Sequence, residues 1–545
     1  MVWDEDNKPE IIFLVENILI QQNGVVQSVI RKAKLVAEEW GCRPIILNGD
    51  FNNQLIVYRL LQDESNEEKE TSFNSSVHVF SVFDYFQHSY PYVSGVGEID
   101  YKPGDGSDGL EYKEALPNEY RVYKDGFHFK TEYFLGLFNR LSQMNFFDEH
   151  GKVTKSYFYN HTGHLTMIQL KDMENQAFTP IEYYFTTDQK PRIKAEYRWS
   201  DDVSKDNSNI RNVANNLRNQ LVKYTIYNDD GDITHEVKTQ EELITLCIEG
   251  LAAEHPNKPF IVIDESACFS NAVAFCKSPN VAKCCVVHAK IFNKPKDIGR
   301  SPINPFYEQL YKNNRKFNGI VFLAKGARED FSNQCGFSKN NYSIGHPYPF
   351  PIIRHSFDER DNKTAVIISR FDPIKRIPLA IEIFKIAANE LPDIKLDIYG
   401  FGQDEENIKN KIKDLGLEDR VILKGYTSKP IEIFSKSTMF MMTSTEEGYG
   451  LTMQEAVCNG CPAFAFDVPY GASAIIRHNI TGFLFKDNDK KAFARKMIQF
   501  FKDEEMRRRM SENCFDDAPR FGTEVVMEKW MEFAEDMVRK LPQNG

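Results

Sequence analysis

The stretch TEEGYGLTMQEAVCNGCP sets two carboxylates, Glu447 and Glu455, eight positions apart around a glycine-rich turn. Two readings are open. In one, Thr452 is the N-cap of a helix and Glu455 its N3 partner, a capping box, while Glu447 is an exposed loop carboxylate. In the other, the two glutamates belong to a binding site. Gly448 and Gly450 allow the backbone to come close to a ligand. The helix that starts near Thr452 turns free N–H groups and a partial positive charge toward it, which suits a phosphate.

A second group lies in VIISRFDPIKRIPLAIEIF. Arg370 ends a strand and Lys375 follows five residues later, in the loop before a helix. Both fall at the carboxyl edge of a sheet, on the same rim as the Gly448 loop. A planar guanidinium and an ammonium together neutralise a diphosphate, although two solvated cations are the ordinary fate of such a pair. His288 stands just past the apolar run CCVV, either as a buried histidine with its bonds satisfied or as a site residue. Cys458 and Cys461 form a C-x-x-C pair with no second pair to complete a zinc site, so they read as reduced cysteines near a helix end. Asp230, in DGD, reads as a hairpin turn.

These residues need elements to hold them. EIIFLVEN, a turn at QQNG, the amphipathic VVQSVIRKAKLVAEEWG and RPIILNG read as strand, helix and strand, the start of a parallel sheet. From about 75 to 240 the chain is aromatic and alternating, with turn signals near Gly151 and Gly163. It reads as an antiparallel meander inserted in the first unit. SDDVSKDNSNIRN reads as a polar loop. After 240 the α/β texture returns, with PFIVIDES, AKCCVVHAK and FNGIVFLAKGAREDF. From about 362, KTAVIISR, IKLDIYG, RVILKG, MFMMTS and PAFAFD are strands separated by amphipathic helices. The expected fold class is α/β: two doubly wound domains facing a cleft, with ligands outside the carboxyl ends of the strands.

The bulk properties limit the function classes. A chain of 545 residues is too long for one core. Its 67 basic and 79 acidic residues give a net charge of −12, which argues against a chain-wide nucleic-acid footprint. The first twenty residues carry acid where a secretory signal needs positive charge, and no run is long enough to span a membrane. A cytoplasmic protein is expected, at most peripheral at the inner face of the plasma membrane.

In order, SRFDPIK, IYGFG, LKGYT, TSTEEGYGLTMQEAVCNGCP and FDVPYG resemble the C-terminal half of retaining, glycogen-synthase-like glycosyltransferases with the GT-B fold. The likeness spans roughly 365–485 and is specific because separate motifs occur in sequence. It implies that Arg370 and Lys375 hold the diphosphate of a nucleotide sugar and stabilise the leaving group. It also implies that Glu455 binds the ribose hydroxyls, Glu447 faces the transferred sugar, and Tyr426 packs on the uracil. Backbone N–H groups of Gly450, Leu451 and Thr452, with Gly448, meet phosphate or sugar oxygens, and His288 lies near the sugar. No metal or other cofactor is implied. The family's Gly-Gly turn after the first strand is Asn23-Gly24 here. Asn tolerates positive φ better than most residues.

The inserted meander, with VVHAK, GYT, NGCP and YGA, is similar to bacterial teichoic acid α-glycosyltransferases over nearly the whole chain. These move glucose or N-acetylglucosamine from a UDP-sugar to poly(glycerol phosphate) or poly(ribitol phosphate). The expected domains are therefore 1–75 with 241–355 (acceptor), 76–240 (meander), 356–518 (nucleotide sugar) and a terminal helix within 519–545 packed on the first. The expected reaction is glucose transfer from UDP-glucose, with a homo-oligomer formed through the meander. A polyanionic acceptor calls for a local basic groove, with Arg31, Lys32 and Lys34 as candidates. The alternatives are a UDP-N-acetylglucosamine-dependent enzyme acting on serine-rich adhesins and a non-catalytic partner subunit. The second should lack the Glu or Arg/Lys pairs, which this chain keeps.

Overall fold

A computed structural model describes residues 3, 8–16, 24–49, 77–87, 109–135, 140–160, 164–176, 178–199, 219–292, 302–336 and 339–542. Asn23, the turn at Gly163 and the 200–212 loop lie outside them. The chain divides into two compact units. One runs to Asp264 and adds Cys268–Lys283 and the last five residues; the other holds Glu265–Ala267 and Cys284–Lys540.

In the first unit Glu10–Val15 pairs in parallel with Phe260–Asp264 on one side and Ile45–Asn48 on the other. His78–Ser81 extends the sheet beyond Ile45–Asn48. Ile11 to Val15 are all buried, the pattern of a parallel strand covered on both faces. The helix Gly24–Trp40 buries Val26, Val29, Ile30, Ala33 and Val36 along one stripe, and Gly41 closes it at φ 58°. Lys32 lies on that buried side, 1% exposed, with Nζ 5.5 Å from the centre of the Phe13 ring. It therefore contributes nothing to an exposed basic groove.

The meander is a sheet of ten antiparallel strands among the described residues, Glu111–Leu116 to Ile233–Val237, paired in sequence order. Short turns make this possible: Gly151 and Gly231 take φ of 76° and 86°. At Asp230, Asn228 Oδ1 accepts the N–H groups of Asp230 and Asp232 and closes the turn. Phe83 packs on Tyr184 of the sheet, ring centres 4.6 Å apart.

The second unit contains a six-stranded parallel sheet. Its order is Val421–Gly425, Lys395–Tyr399, Thr364–Ile368, Met439–Met442, Ala463–Phe466 and Gly482–Phe485. The sixth strand, Gly482–Phe485, is an addition to the five expected from the sequence. An added Cβ at Gly482, φ 155°, would lie 1.8 Å from Ala463 O, so only glycine lets the two strands approach. Chain order reverses between Thr364–Ile368 and Met439–Met442, which creates a switch point at their carboxyl ends. The helix Ile377–Glu390 buries Ile377, Ala380, Ile381, Phe384 and Ala388 on the sheet.

The strand Val281–Val287 pairs in parallel, over its last four residues, with Gly319–Phe322, and Gly319–Phe322 pairs in parallel with Asn341–Ser343. The final helix, Thr523–Arg539, seats Phe533 edge-on to Tyr342, ring centres 4.9 Å apart. Cys458 and Cys461 are both fully buried; burial pushes the Cys461 thiol up to about 12.

Candidate active site

The switch point opens into a small pocket lined by Ile368, Ser369, Lys375, Met442, Thr443 and Ser444. The loop after Ile368 delivers Lys375 to it. Asp372 caps a tight turn, Pro373–Lys375, by accepting the Ile374 N–H at 3.1 Å. The Thr445 N–H then donates to Ile374 O at 2.8 Å, and Thr443 Oγ1 donates to Lys375 O at 3.0 Å. Two loops separated by about seventy residues are thereby joined edge to edge.

Lys375 Nζ donates to Glu447 Oε1 at 2.6 Å. Ser444 Oγ donates to the same oxygen at 2.6 Å. The Lys375 side chain is 18% exposed and that of Glu447 10%, so this ion pair is partly withdrawn from solvent. The Glu447 backbone is held too. Its N–H donates to Pro469 O at 3.1 Å, and its carbonyl accepts from Tyr470 and Gly471 at 2.8 and 2.9 Å. The FDVPYG motif is therefore the shelf on which the acidic loop rests.

Gly448 brings His288 to the same place. A Cβ on Gly448 would lie 1.5 Å from His288 O and 3.2 Å from Ala289 Cα. Glycine is required because two backbones meet there. His288 Nε2 lies 3.2 Å from Oε2 of Glu265, a fully buried carboxylate. The imidazole stacks on His346 at 5.5 Å, and His346 meets Tyr449 edge-on at 5.2 Å. Gln454 Nε2 donates to His346 O at 2.7 Å. Lys290 pairs with Glu446, one residue before Glu447.

The helix Leu451–Cys458 starts two residues earlier than a capping box at Thr452 requires. Its N-cap is Gly450, at φ 93°, and no side chain caps it. Thr452 is thus the second helical residue, and the capping-box reading is corrected. Only glycine takes this left-handed entry without strain. It leaves the first N–H groups of the helix without a side-chain cap beside the Glu447 loop. Glu455 is half-buried on this helix.

Arg370 stands apart from the pair. Its side chain is 78% exposed, and its nearest carboxylate is Asp372 at 4.0 Å. Tyr426 is also open, 72% exposed, with its ring edge-on to the exposed Phe401 at 5.9 Å. Both aromatics follow the carboxyl ends of neighbouring strands. Gly24 is the first residue of its helix in the first unit. Of the sequence-derived residues, the fold brings together Lys375, Glu447, Gly448 and His288. The sequence reading did not find Ser444, Arg376, Glu265, His346 or Lys290. Lys290, Ser444 and Arg376 lie in or next to VVHAK, TSTEEGYG and SRFDPIK, whereas nothing local marks Glu265 or His346.

Residues 351–516 match the family model described as Glycosyl transferases group 1. Over 513 residues the chain is 24% identical to the poly(glycerol-phosphate) alpha-glucosyltransferase of Bacillus subtilis (strain 168), covering 93% of this chain and 72% of that protein. Over 350 residues it is 27% identical to a UDP-N-acetylglucosamine–peptide N-acetylglucosaminyltransferase GtfA subunit of Streptococcus parasanguinis, 58% of this chain and 68% of that one. The crystal structure of TarM aligns over 97% of this chain and 99% of its own with a TM-score of 0.74 at 19% identity. A GtfA/B complex aligns over 97% and 100% with a TM-score of 0.72 at 17% identity. The fold is GT-B, with parallel α/β sheets and the antiparallel sheet as an addition. No described helix is long and apolar enough to cross a membrane.

Proposed function

We infer that the chain is a GT-B glycosyltransferase of the teichoic acid α-glycosyltransferase kind, moving glucose from UDP-glucose to hydroxyls of a poly(polyol phosphate) with retention. The observation that carries this reading is the Lys375–Glu447 pair at the switch point, 2.6 Å apart and beside the glycine-entered helix. The long match to a poly(glycerol-phosphate) alpha-glucosyltransferase supports the same reading.

In this reading Lys375 and Arg370 bind the diphosphate and offset the charge that builds on it as the glycosidic bond breaks. The N–H groups at Gly450, Leu451 and Thr452 add fixed dipoles. The two cations and the helix start supply the positive charge that a metal supplies elsewhere. Glu447 faces the sugar and orients it, with His288 opposite. The acceptor oxygen attacks the anomeric carbon on the face that UDP leaves, and its proton passes to the departing phosphate. Glu455 accepts from the ribose, and Tyr426 stacks on the base. This reading puts the chain in the cytoplasm, at the inner face of the plasma membrane. Leu116, Val222 and Ile233 are exposed apolar side chains of the meander, and they suit self-association.

The GtfA likeness supports a second reading, N-acetylglucosamine transfer to protein. A UDP-release assay separates the two. UDP-glucose and UDP-N-acetylglucosamine are each combined with poly(glycerol phosphate), poly(ribitol phosphate) or a serine-rich peptide. Stimulation by one polymer is expected. Stimulation by the peptide alone would move the chain to the protein-modifying class.

A further inference from the structure

Arg376 directly follows Lys375 and takes no part in the reaction just described, yet it is one of the most heavily bonded side chains near the site. Its Nε donates to Thr443 O at 2.6 Å, and its Nη2 donates to Ser444 O at 2.8 Å and to Asp487 Oδ1 at 2.6 Å. Nη1 donates to Asn488 Oδ1 at 3.1 Å. The guanidinium lies over the Phe466 ring, 5.3 Å from its centre. One planar fork thus reaches three places: the end of the strand Met439–Met442, the neighbouring strand Ala463–Phe466, and the loop at Asp487–Asn488.

The backbone of Arg376 is left-handed, φ 50° and ψ 41°. Residues with a β-carbon avoid that region, and it persists only where the surroundings fix it. Here it ends the tight turn Pro373–Lys375 and starts the helix Ile377–Glu390. The direction in which Lys375 leaves the turn follows from it. Ser444, whose carbonyl accepts from Arg376, is also the residue whose hydroxyl donates to Glu447 Oε1. The same bracket therefore locates both members of the Lys375–Glu447 pair.

We propose that Arg376 is a positioning residue: it locks the Lys375 turn onto the Thr443–Ser444 strand end so that Lys375 Nζ and Glu447 stand in register for the diphosphate. This rests on reading the site as a UDP-sugar site. Charge alone does not account for such a role. A lysine cannot reproduce the fork that reaches Thr443 O, Ser444 O and the Asp487 loop together.

The test uses the full chain and UDP. Arg376→Gly keeps a left-handed backbone without strain and removes the fork; Arg376→Lys keeps the charge. Both should weaken UDP binding by about tenfold, the scale of a small misplacement of a binding group, with melting temperatures within a few degrees of the parent. In a Lys375→Ala background, Arg376→Gly should add less than about a twofold loss, because a group acting through Lys375 has nothing left to position. Losses that multiply in the double variant, or an Arg376→Lys variant that binds UDP as the parent does, would overturn the proposal. Hydrogen exchange of the amides Ile374–Arg376 gives a readout independent of UDP. It should speed up in Arg376→Gly, and unchanged exchange there would also overturn the proposal. A parent chain that binds no UDP would sink the UDP-sugar reading, while the exchange result would still decide whether Arg376 holds the turn.

Discussion

Lys375 Nζ and Glu447 Oε1 are 2.6 Å apart, although 72 residues separate them in the chain. The contact fixes a cation that can meet a leaving diphosphate beside a carboxylate that can meet a sugar. Each restrains the other before any ligand arrives, and such preorganisation is what makes charge effective in a site.

Replacing Glu447 with Gln keeps its size and removes its charge. Transfer should fall by about 10²–10³-fold in kcat, the loss typical of one preorganised electrostatic contact. The circular dichroism spectrum should match the parent. Full turnover in this variant would remove Glu447 from the site.

The two cations should separate in stability although the proposed function assigns both to UDP. Each alanine variant should lose about 1.5–3 kcal/mol of UDP affinity if its contact is charge-assisted and well formed. Arg370 is open to solvent, so its removal should leave the melting temperature unchanged. Lys375→Ala strips a donor from a largely covered carboxylate and should cost about 1–3 kcal/mol of stability. Calorimetry on both variants, with and without UDP, reads the difference.

Gly448→Ala places a methyl against the His288 carbonyl. The loop must move away, at a cost of about 1–3 kcal/mol by analogy with overpacked cores. Activity should fall with stability, because Glu447 is the next residue. Normal turnover and an unchanged melting temperature would show that the two backbones do not approach as described.

The helix that leads away from Lys375 carries a pH-dependent tie. The Glu382 carboxylate accepts from Lys411 at 2.9 Å and from Lys490 at 3.0 Å, bonds that hold it below the usual carboxylate range. A depressed value in the folded state contributes stability above the unfolded pKa, and that stability is lost as pH falls through the folded one. Glu382→Gln should therefore lower the melting temperature at neutral pH. The gap to the parent should close as the pH is taken below the carboxylate range. A gap that stays constant with pH would show that the ion pairs contribute nothing.

The sequence by itself determined the parallel sheets, the antiparallel meander and the motifs of the site. Those features are written in local periods: continuous apolar runs such as TAVII, alternation in IEYYF, and glycines at turns. Through the family resemblance it also offered Glu447, Lys375, Gly448 and His288 as candidates for one site, and the fold brings these four together. The tertiary structure decided the rest, because those contacts join residues with no shared local pattern. Arg376 reads as a plain cation until Thr443, Ser444 and Asp487 stand around it. Glu265 reads as the end of a strand until His288 is beside it. Thr452 satisfies a capping pattern in the letters, yet the close approach of Gly448 to His288 accompanies a helix entry at Gly450. Local propensity is worth tenths of a kcal/mol per residue, and packing of one backbone against another outweighs it.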